Sequence, residues 1–227
     1  MTVVVSYLAL CAALIGLGLL VVHVAAPVRH WDDHVNSWFA THRSAAWNAI
    51  SKGGTFVANT LGVLAVAVVV TVIAVLQRWG RAAALLLTGL ALELATFLTV
   101  NYVVQRPRPS APHLGPTPST YSFPSGHVAA TLVLYGGIAV LVASRTRLPL
   151  ARIVAWVIAA LAVGWVGFSR VYEAQHHPTD VFAGFILGVV ALVAAVAAIR
   201  PVPASPERAT PSGTARSSVE GTREVVR

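Results

Sequence analysis

The stretch from His176 to Ile199 reads HHPTDVFAGFILGVVALVAAVAAI. Five polar or ring-constrained residues end at Asp180, and nineteen residues without a charge follow. As an α-helix those nineteen rise about 28 Å, close to the hydrocarbon thickness of a bilayer. A run this long with no charge has no polar face to turn to water. It predicts a transmembrane helix entered through a polar, histidine-bearing junction.

Working outward, the same pattern recurs. Spans are predicted at about 3–26, 56–76, 82–104, 125–145, 150–168 and 180–199. Each must be helical, because lipid cannot satisfy a free backbone N–H or C=O. Over the whole chain 56% of residues are hydrophobic and only 11% charged, against about 25% charged in soluble domains. The expected fold is therefore all-α, a six-transmembrane-helix bundle. The first span has no basic leader and a long apolar run, so it reads as an uncleaved anchor.

Between the first two spans, Trp31, Val35, Trp38, Phe39 and His42 fall on one helical face. This predicts an amphipathic interfacial helix across 28–54, with Asp32 and Asp33 near its start and tryptophans at headgroup level. The linker 105–124 holds six of the thirteen prolines, which keep it extended and outside the bilayer. From Pro201 the composition turns to Pro, Ser, Thr, Arg and Glu, which predicts a disordered tail over 201–227 beside a membrane-embedded domain over 1–200.

Net charge is +8, but the arginines sit at the ends of apolar runs rather than in one basic patch. That favours membrane orientation and anionic ligands over nucleic acid. With six spans, both termini share a side carrying ten Lys and Arg, and the opposite side carries six. The positive-inside rule puts both termini in the cytoplasm. The lone Cys11 excludes an intramolecular disulfide and reads as a buried thiol.

The side with fewer cations collects the chemistry. One loop supplies Arg106-Pro107-Arg108-Pro109 and Pro124-Ser125-Gly126-His127. The other supplies Ser169-Arg170 and His176-His177-Pro178-Thr179-Asp180. Ser125-Gly126-His127 opens a helix, whose free N–H groups and positive dipole end suit phosphate. Ser125 is suited to cap that helix and donate to a phosphate oxygen, and Gly126 lets the backbone approach it. Arg108 and Arg170 are forked anion donors. His176 and Asp180 are four apart, so a helix beginning near His176 puts Asp180 against one imidazole nitrogen and frees the other to attack. His127 is the opposing general acid and base.

These residues resemble the three motifs of the type 2 phosphatidic acid phosphatase family, Lys-x6-Arg-Pro, Pro-Ser-Gly-His and Ser-Arg-x5-His-x3-Asp, over about residues 30–200. The second and third motifs match fully. The first matches at Arg108-Pro109, but Asn101 stands where the family has lysine, and Lys52 is the chain's only lysine. The resemblance implies metal-independent hydrolysis of a lipid phosphate or diphosphate at the outer face through phosphohistidine, with no cofactor. It makes His176 the nucleophile, Asp180 its partner and His127 the acid/base. Phosphate would be held by Arg108, Ser125, Gly126 and Arg170, with Asn101 and Arg106 as further candidates. Arg106 is a candidate substitute for the lysine charge. Phosphatidic acid, phosphatidylglycerol phosphate and polyprenyl diphosphate are the candidate substrates.

Other readings carry less. The same pocket could bind or transport a lipid phosphate without cleaving it, though binding alone does not need both histidines. A metal site from His127, His176, His177 and Asp180 is opposed by two nearby arginines, and haloperoxidase chemistry sits poorly with a membrane-bound chain. His177 reads as a bystander, His23 as interfacial and His113 as a solvated loop residue. Gly184 and Gly188 predict a close helix contact. Glu93, midway along the third span, reads as a structural carboxyl or as the lining of a substrate or proton path. Oligomeric state has no sequence signal.

Overall fold

The computed structural model describes residues 1–199, so the predicted tail over 201–227 lies outside the described residues. Eight helices follow in order: α1 Thr2–His23, α2 Ala26–Thr41, α3 Ala45–Val57, α4 Thr60–Leu76, α5 Gly80–Val104, α6 Gly126–Arg145, α7 Pro149–Tyr172 and α8 Pro178–Ile199. Among the described residues there is no strand. Helices α1, α5, α6, α7 and α8 are long and apolar enough to cross a membrane, and the bent pair α3–α4 counts as a sixth span. The chain is a multi-pass membrane protein.

Helix α6 is the centre, packed against α5, α7 and α8, with α1 closing on α5 and α8. Small residues make this possible. A Cβ at Gly188 would lie 3.0 Å from the Ala129 carbonyl oxygen, and one at Gly184 would lie 2.3 Å from that of Ser125. The Gly184/Gly188 pair is therefore the predicted close contact, and it seats α8 against the first turns of α6. Leu85, Leu134, Val133, Leu187 and Ala195 fill the interior. Outward, Val68, Val72, Ile73, Val157 and Leu161 stand exposed along α4 and α7, an apolar exterior that only lipid tolerates over such an area.

The stretch between the first two spans carries two helices where its sequence predicted one. Ser44 starts α3 by accepting from the Trp47 N–H (3.3 Å), a helix-capping signal inside the predicted amphipathic run. Helix α3 then meets α4 at a 46° bend, where the Asn59 side chain caps α4 through Leu61 N–H (3.0 Å). The residues predicted as span two thus divide between the end of α3 and α4. Helix α3 docks on α7, with Trp165 Nε1 donating to the Ile50 carbonyl (2.8 Å).

Helix α2 also turns the other way from a simple interfacial helix. Its tryptophans, Trp31 and Trp38, are half-exposed, while Asp32 and Asn36 are buried. The helix starts at Ala26, so Asp32 lies in its second turn and does not serve its N-terminus. The two tryptophans face outward, while Asp32, Asn36 and Phe39 face the protein over the junction between α7 and α8.

Candidate active site

That junction is the site. The linker after α5 returns past Tyr121 and Phe123 to the start of α6, and the last turn of α7 carries Ser169-Arg170. The turn Glu173–His177 leads into α8. The structure brings Arg108, Gly126, His127, Arg170 and His176 around one cavity of about 510 Å³. The cavity descends between α4, α5 and α6 along Val63, Ala67, Leu90 and Ala130. A larger void of about 690 Å³ between α6, α7 and α8 is lined almost wholly by apolar side chains and carries none of the predicted site residues.

His176 is 2% exposed. Its Nδ1 lies 2.7 Å from the Ser122 carbonyl oxygen. A carbonyl can only accept, so Nδ1 carries the proton and Nε2 holds a free lone pair. Burial pushes the imidazole well below the usual histidine range, and the positive charge of Arg108 pushes it further. The ring is thus neutral at ordinary pH, with its unprotonated nitrogen 3.4 Å from Arg108 Nη1. Across the cavity, the ring centroid of His127 is 6.5 Å away.

The sequence put Asp180 directly on the His176 imidazole, and the geometry differs. Helix α8 starts at Pro178, after His176, because proline suits the first helical position. Nδ1 is left 3.9 Å from Asp180 Oδ2, beyond hydrogen-bond reach. Asp180 acts one step removed. Its Oδ2 accepts from Ser122 Oγ–H and from the His177 N–H (2.8 Å), and Ser122 in turn presents the carbonyl that holds His176.

Arg106 faces away from the cavity. Nη1 pairs with Asp180 Oδ1 at 2.5 Å and Nη2 with Asp32 Oδ2 at 2.7 Å, and Arg106 is 3% exposed. Asp32 also accepts from the Thr179 N–H (3.1 Å) and hydroxyl (2.5 Å), so it caps α8 from across the molecule. Asn36, one turn later on α2, donates to the Val171 and His176 carbonyls (both 3.1 Å). Helix α2 thereby clamps the backbone of the His176 turn.

Asn101 does not line the cavity either. Its amide donates to the Tyr121 and Phe123 carbonyls (2.9 and 3.1 Å), and its oxygen accepts from the Tyr121 N–H (3.1 Å). Asparagine offers both donor and acceptor, so it ties the linker to α5 just before Pro124-Ser125.

Arg108 and Arg170 line the cavity, and Ser125 is buried just before Gly126. Ser125 precedes α6 but makes no side-chain cap, and its buried Oγ has no hydrogen-bond partner among the described residues. Arg108 is held by carbonyls, with Nη1 on Gln175 (2.5 Å) and Nε on Thr120 (3.1 Å). No carboxylate pairs with it among the described residues. Arg170 pairs with Glu173 (2.5 Å) and donates to Thr55, while its Nε has no partner among the described residues. The four residues weighed as metal ligands do not converge: Asp180 turns to Arg106 and His177 Nδ1 lies 3.7 Å from Asp33.

Asp32, Ser122, Glu173 and Thr55 were missed by sequence reasoning. Asp32 and Asn36, polar and four apart on an otherwise membrane-lying helix, were the readable signal for a buried polar face. Glu173 was readable from its i, i+3 spacing to Arg170.

Comparison with known proteins gives a consistent picture. A family model described as the PAP2 superfamily matches residues 82–202. An undecaprenyl-diphosphatase of Sulfolobus acidocaldarius is 37% identical over 75 residues, 33% of this chain and 32% of that protein. Phosphatidylglycerophosphatase B of Bacillus subtilis is 40% identical over 73 residues, 32% of this chain and 36% of that protein. The matches thus span about a third of the length of these curated relatives. Among solved structures, a transmembrane PAP2-type phosphatidylglycerolphosphate phosphatase from Bacillus subtilis superposes with a TM-score of 0.71 at 24% identity, covering 86% of this chain and 92% of that one. Aquifex aeolicus LpxE gives 0.56 at 17% identity over 72% and 93%. Both share the fold.

Proposed function

The chain belongs to the PAP2 superfamily, and from that premise we propose that it is an integral-membrane lipid phosphatase. It acts on a phosphomonoester or diphosphate lipid, such as phosphatidic acid, phosphatidylglycerol phosphate or a polyprenyl diphosphate. The observation that carries this reading is the neutral His176, with its Nε2 lone pair free in a cavity that also holds His127 and two arginines.

In the first step Nε2 attacks phosphorus and the bond from phosphorus to the leaving oxygen breaks, the ester oxygen of a phosphomonoester or the bridging oxygen of a diphosphate; His127, carrying a proton brought in with the anionic substrate, delivers it to that oxygen. His176 becomes phosphohistidine, and its ring charge is stabilised through Ser122 by Asp180 and, beyond it, Asp32. In the second step His127 takes a proton from water, the resulting hydroxide attacks phosphorus, and the P–N bond breaks. Inorganic phosphate leaves and both histidines are restored. Arg108, Arg170, the Ser125 hydroxyl and the free N–H groups at the α6 start stabilise the charge on the transferred group. Hydrolysis needs no metal on this route.

Orientation is part of the proposal. The excess of cations on the opposite ends of the spans puts both termini in the cytoplasm and the cavity mouth at the outer face of the cell membrane.

The test is phosphate release by purified protein in mixed micelles, against a panel of lipid mono- and diphosphates. His176→Ala is expected to lower release by about 10⁴-fold or more. Equal release by wild type and variant would leave a lipid-phosphate binding or transport protein instead.

A further inference from the structure

Glu93 has no part in the chemistry above, yet it lines the same cavity. It is 3% exposed, and neither a hydrogen-bond nor a charged partner stands near it among the described residues. Its neighbours in the wall are Leu90, Leu94, Phe97 and Val63. An unpaired carboxyl in such a wall is costly, and a purely structural role would supply a partner.

Its depth can be placed. Phe97 packs at the start of α6, where a Cβ on Gly126 would meet its ring at 3.0 Å. Glu93 lies one helical turn further in, about 6 Å below the phosphate end. The cavity continues along α4 from Thr60 to Ala67, a descent of about 10 Å. A lipid phosphate seated between His127 and His176 therefore passes the first few bonds of its lipid portion across Glu93.

We propose that Glu93 is a specificity residue that hydrogen-bonds the acylated glycerol of a diacylglycerol phosphate. This rests on the phosphatase reading and narrows its substrate class. In a diacylglycerol phosphate, the ester carbonyls follow the phosphate by a few bonds. In a prenyl phosphate the same stretch is hydrocarbon and leaves the carboxyl unpaired in the complex. In its acid form Glu93 offers one O–H donor to a carbonyl. Sites that hydrogen-bond a substrate group discriminate against analogues lacking it, because their own polar group is then left without a partner.

The experiment compares kcat/KM for dioleoyl phosphatidic acid and for its di-O-alkyl ether analogue, which keeps shape and charge but has no carbonyl. Farnesyl phosphate is the hydrocarbon control. Wild type is expected to favour the ester by about fivefold or more. Glu93→Gln, which keeps a donor, should retain the ester-to-ether ratio, and Glu93→Leu should bring it to about one. The ratio for farnesyl phosphate over the ether analogue should rise in Glu93→Leu. A wild-type ester-to-ether ratio near one overturns the inference even if no variant folds, as does an unchanged ratio in Glu93→Leu. Hydrolysis of all three lipids without discrimination sinks this inference alone; no hydrolysis of any of the three sinks it too, and the phosphatase reading falls with it only if phosphatidylglycerol phosphate and a polyprenyl diphosphate are also left intact.

Discussion

Arg106 and Arg108 are two residues apart, in the same linker, and do opposite things. Arg106 is enclosed by Asp32 and Asp180, with each terminal nitrogen in an ion pair. Arg108 leans on carbonyl oxygens, borders the cavity and stands beside the His176 nitrogen. The contrast extends to their surroundings. Around Arg106 both carboxylates are held by donors from the protein, and the set Asp32, Arg106, Asp180 and Ser122 ends on the proton of His176. On the side of Arg108, the Ser125 hydroxyl and Arg170 Nε have no partner among the described residues. A closed network fixes a nucleophile, and an open one waits for an anion. The two halves of the site differ in whether the protein or the substrate completes the hydrogen bonding.

Swapping alanine into each arginine is the sharpest way to break that comparison. Arg108→Ala should cost about 10²–10³ in kcat/KM, the scale of a lost transition-state donor, with little change in unfolding midpoint. Arg106→Ala should instead destabilise the fold by about 3–5 kcal/mol, because two buried carboxylates lose their cation. Phosphate release and thermal unfolding in detergent read both effects. If Arg106→Ala unfolds like wild type and loses only substrate affinity, Arg106 is a phosphate ligand after all.

Asp32→Asn should have a smaller effect, about tenfold in kcat with KM nearly constant. It removes one negative charge behind the nucleophile while keeping a side chain that can accept from Thr179. A rise in KM with kcat unchanged would place Asp32 in substrate binding instead.

The smallest expected effect is on stability against pH. His176 and His177 are both pushed below the usual range, chiefly by burial, whereas an unfolded histidine titrates near ~6.5. Below about 6.5 the unfolded chain binds protons that the folded chain does not, so stability falls as pH falls. Above that value the full stability is present. Each group adds at most about 1.4 kcal/mol per pH unit. The unfolding midpoint should drop between pH 7.5 and 5.5, and the drop should shrink in His177→Gln. A midpoint that is flat across this range contradicts the burial of these rings.

The sequence carried the spans and the inward-facing half of the site well, and for one reason. In an apolar chain a His, an Arg or a Ser-Gly pair at a helix end stands out, because lipid gives it no other use. Gly184 and Gly188 were legible on the same grounds. The closed half was not legible. Asp32 meets Arg106 and Asp180 from a separate helix, and nothing local to Asp32 marks that encounter. The direct contact expected between Asp180 and His176 is opened to 3.9 Å because α8 starts at Pro178, two residues after His176. Asn101 looked like a lost phosphate ligand, but its donor and acceptor both serve the linker. The break between α3 and α4 escaped because Asn59-Thr60 is a short uncharged polar pair inside an otherwise apolar run.

The central claim is that His176 forms a covalent bond to phosphorus and His127 completes the cycle. The most direct test is rapid denaturing quench of protein mixed with a ³²P-labelled lipid phosphate. The account predicts acid-labile, base-stable label on wild type, more of it on His127→Gln, whose second step lacks a base, and none on His176→Ala. Label that persists on His176→Ala, or turnover in wild type with no trapped label on either histidine variant or on wild type itself, contradicts it.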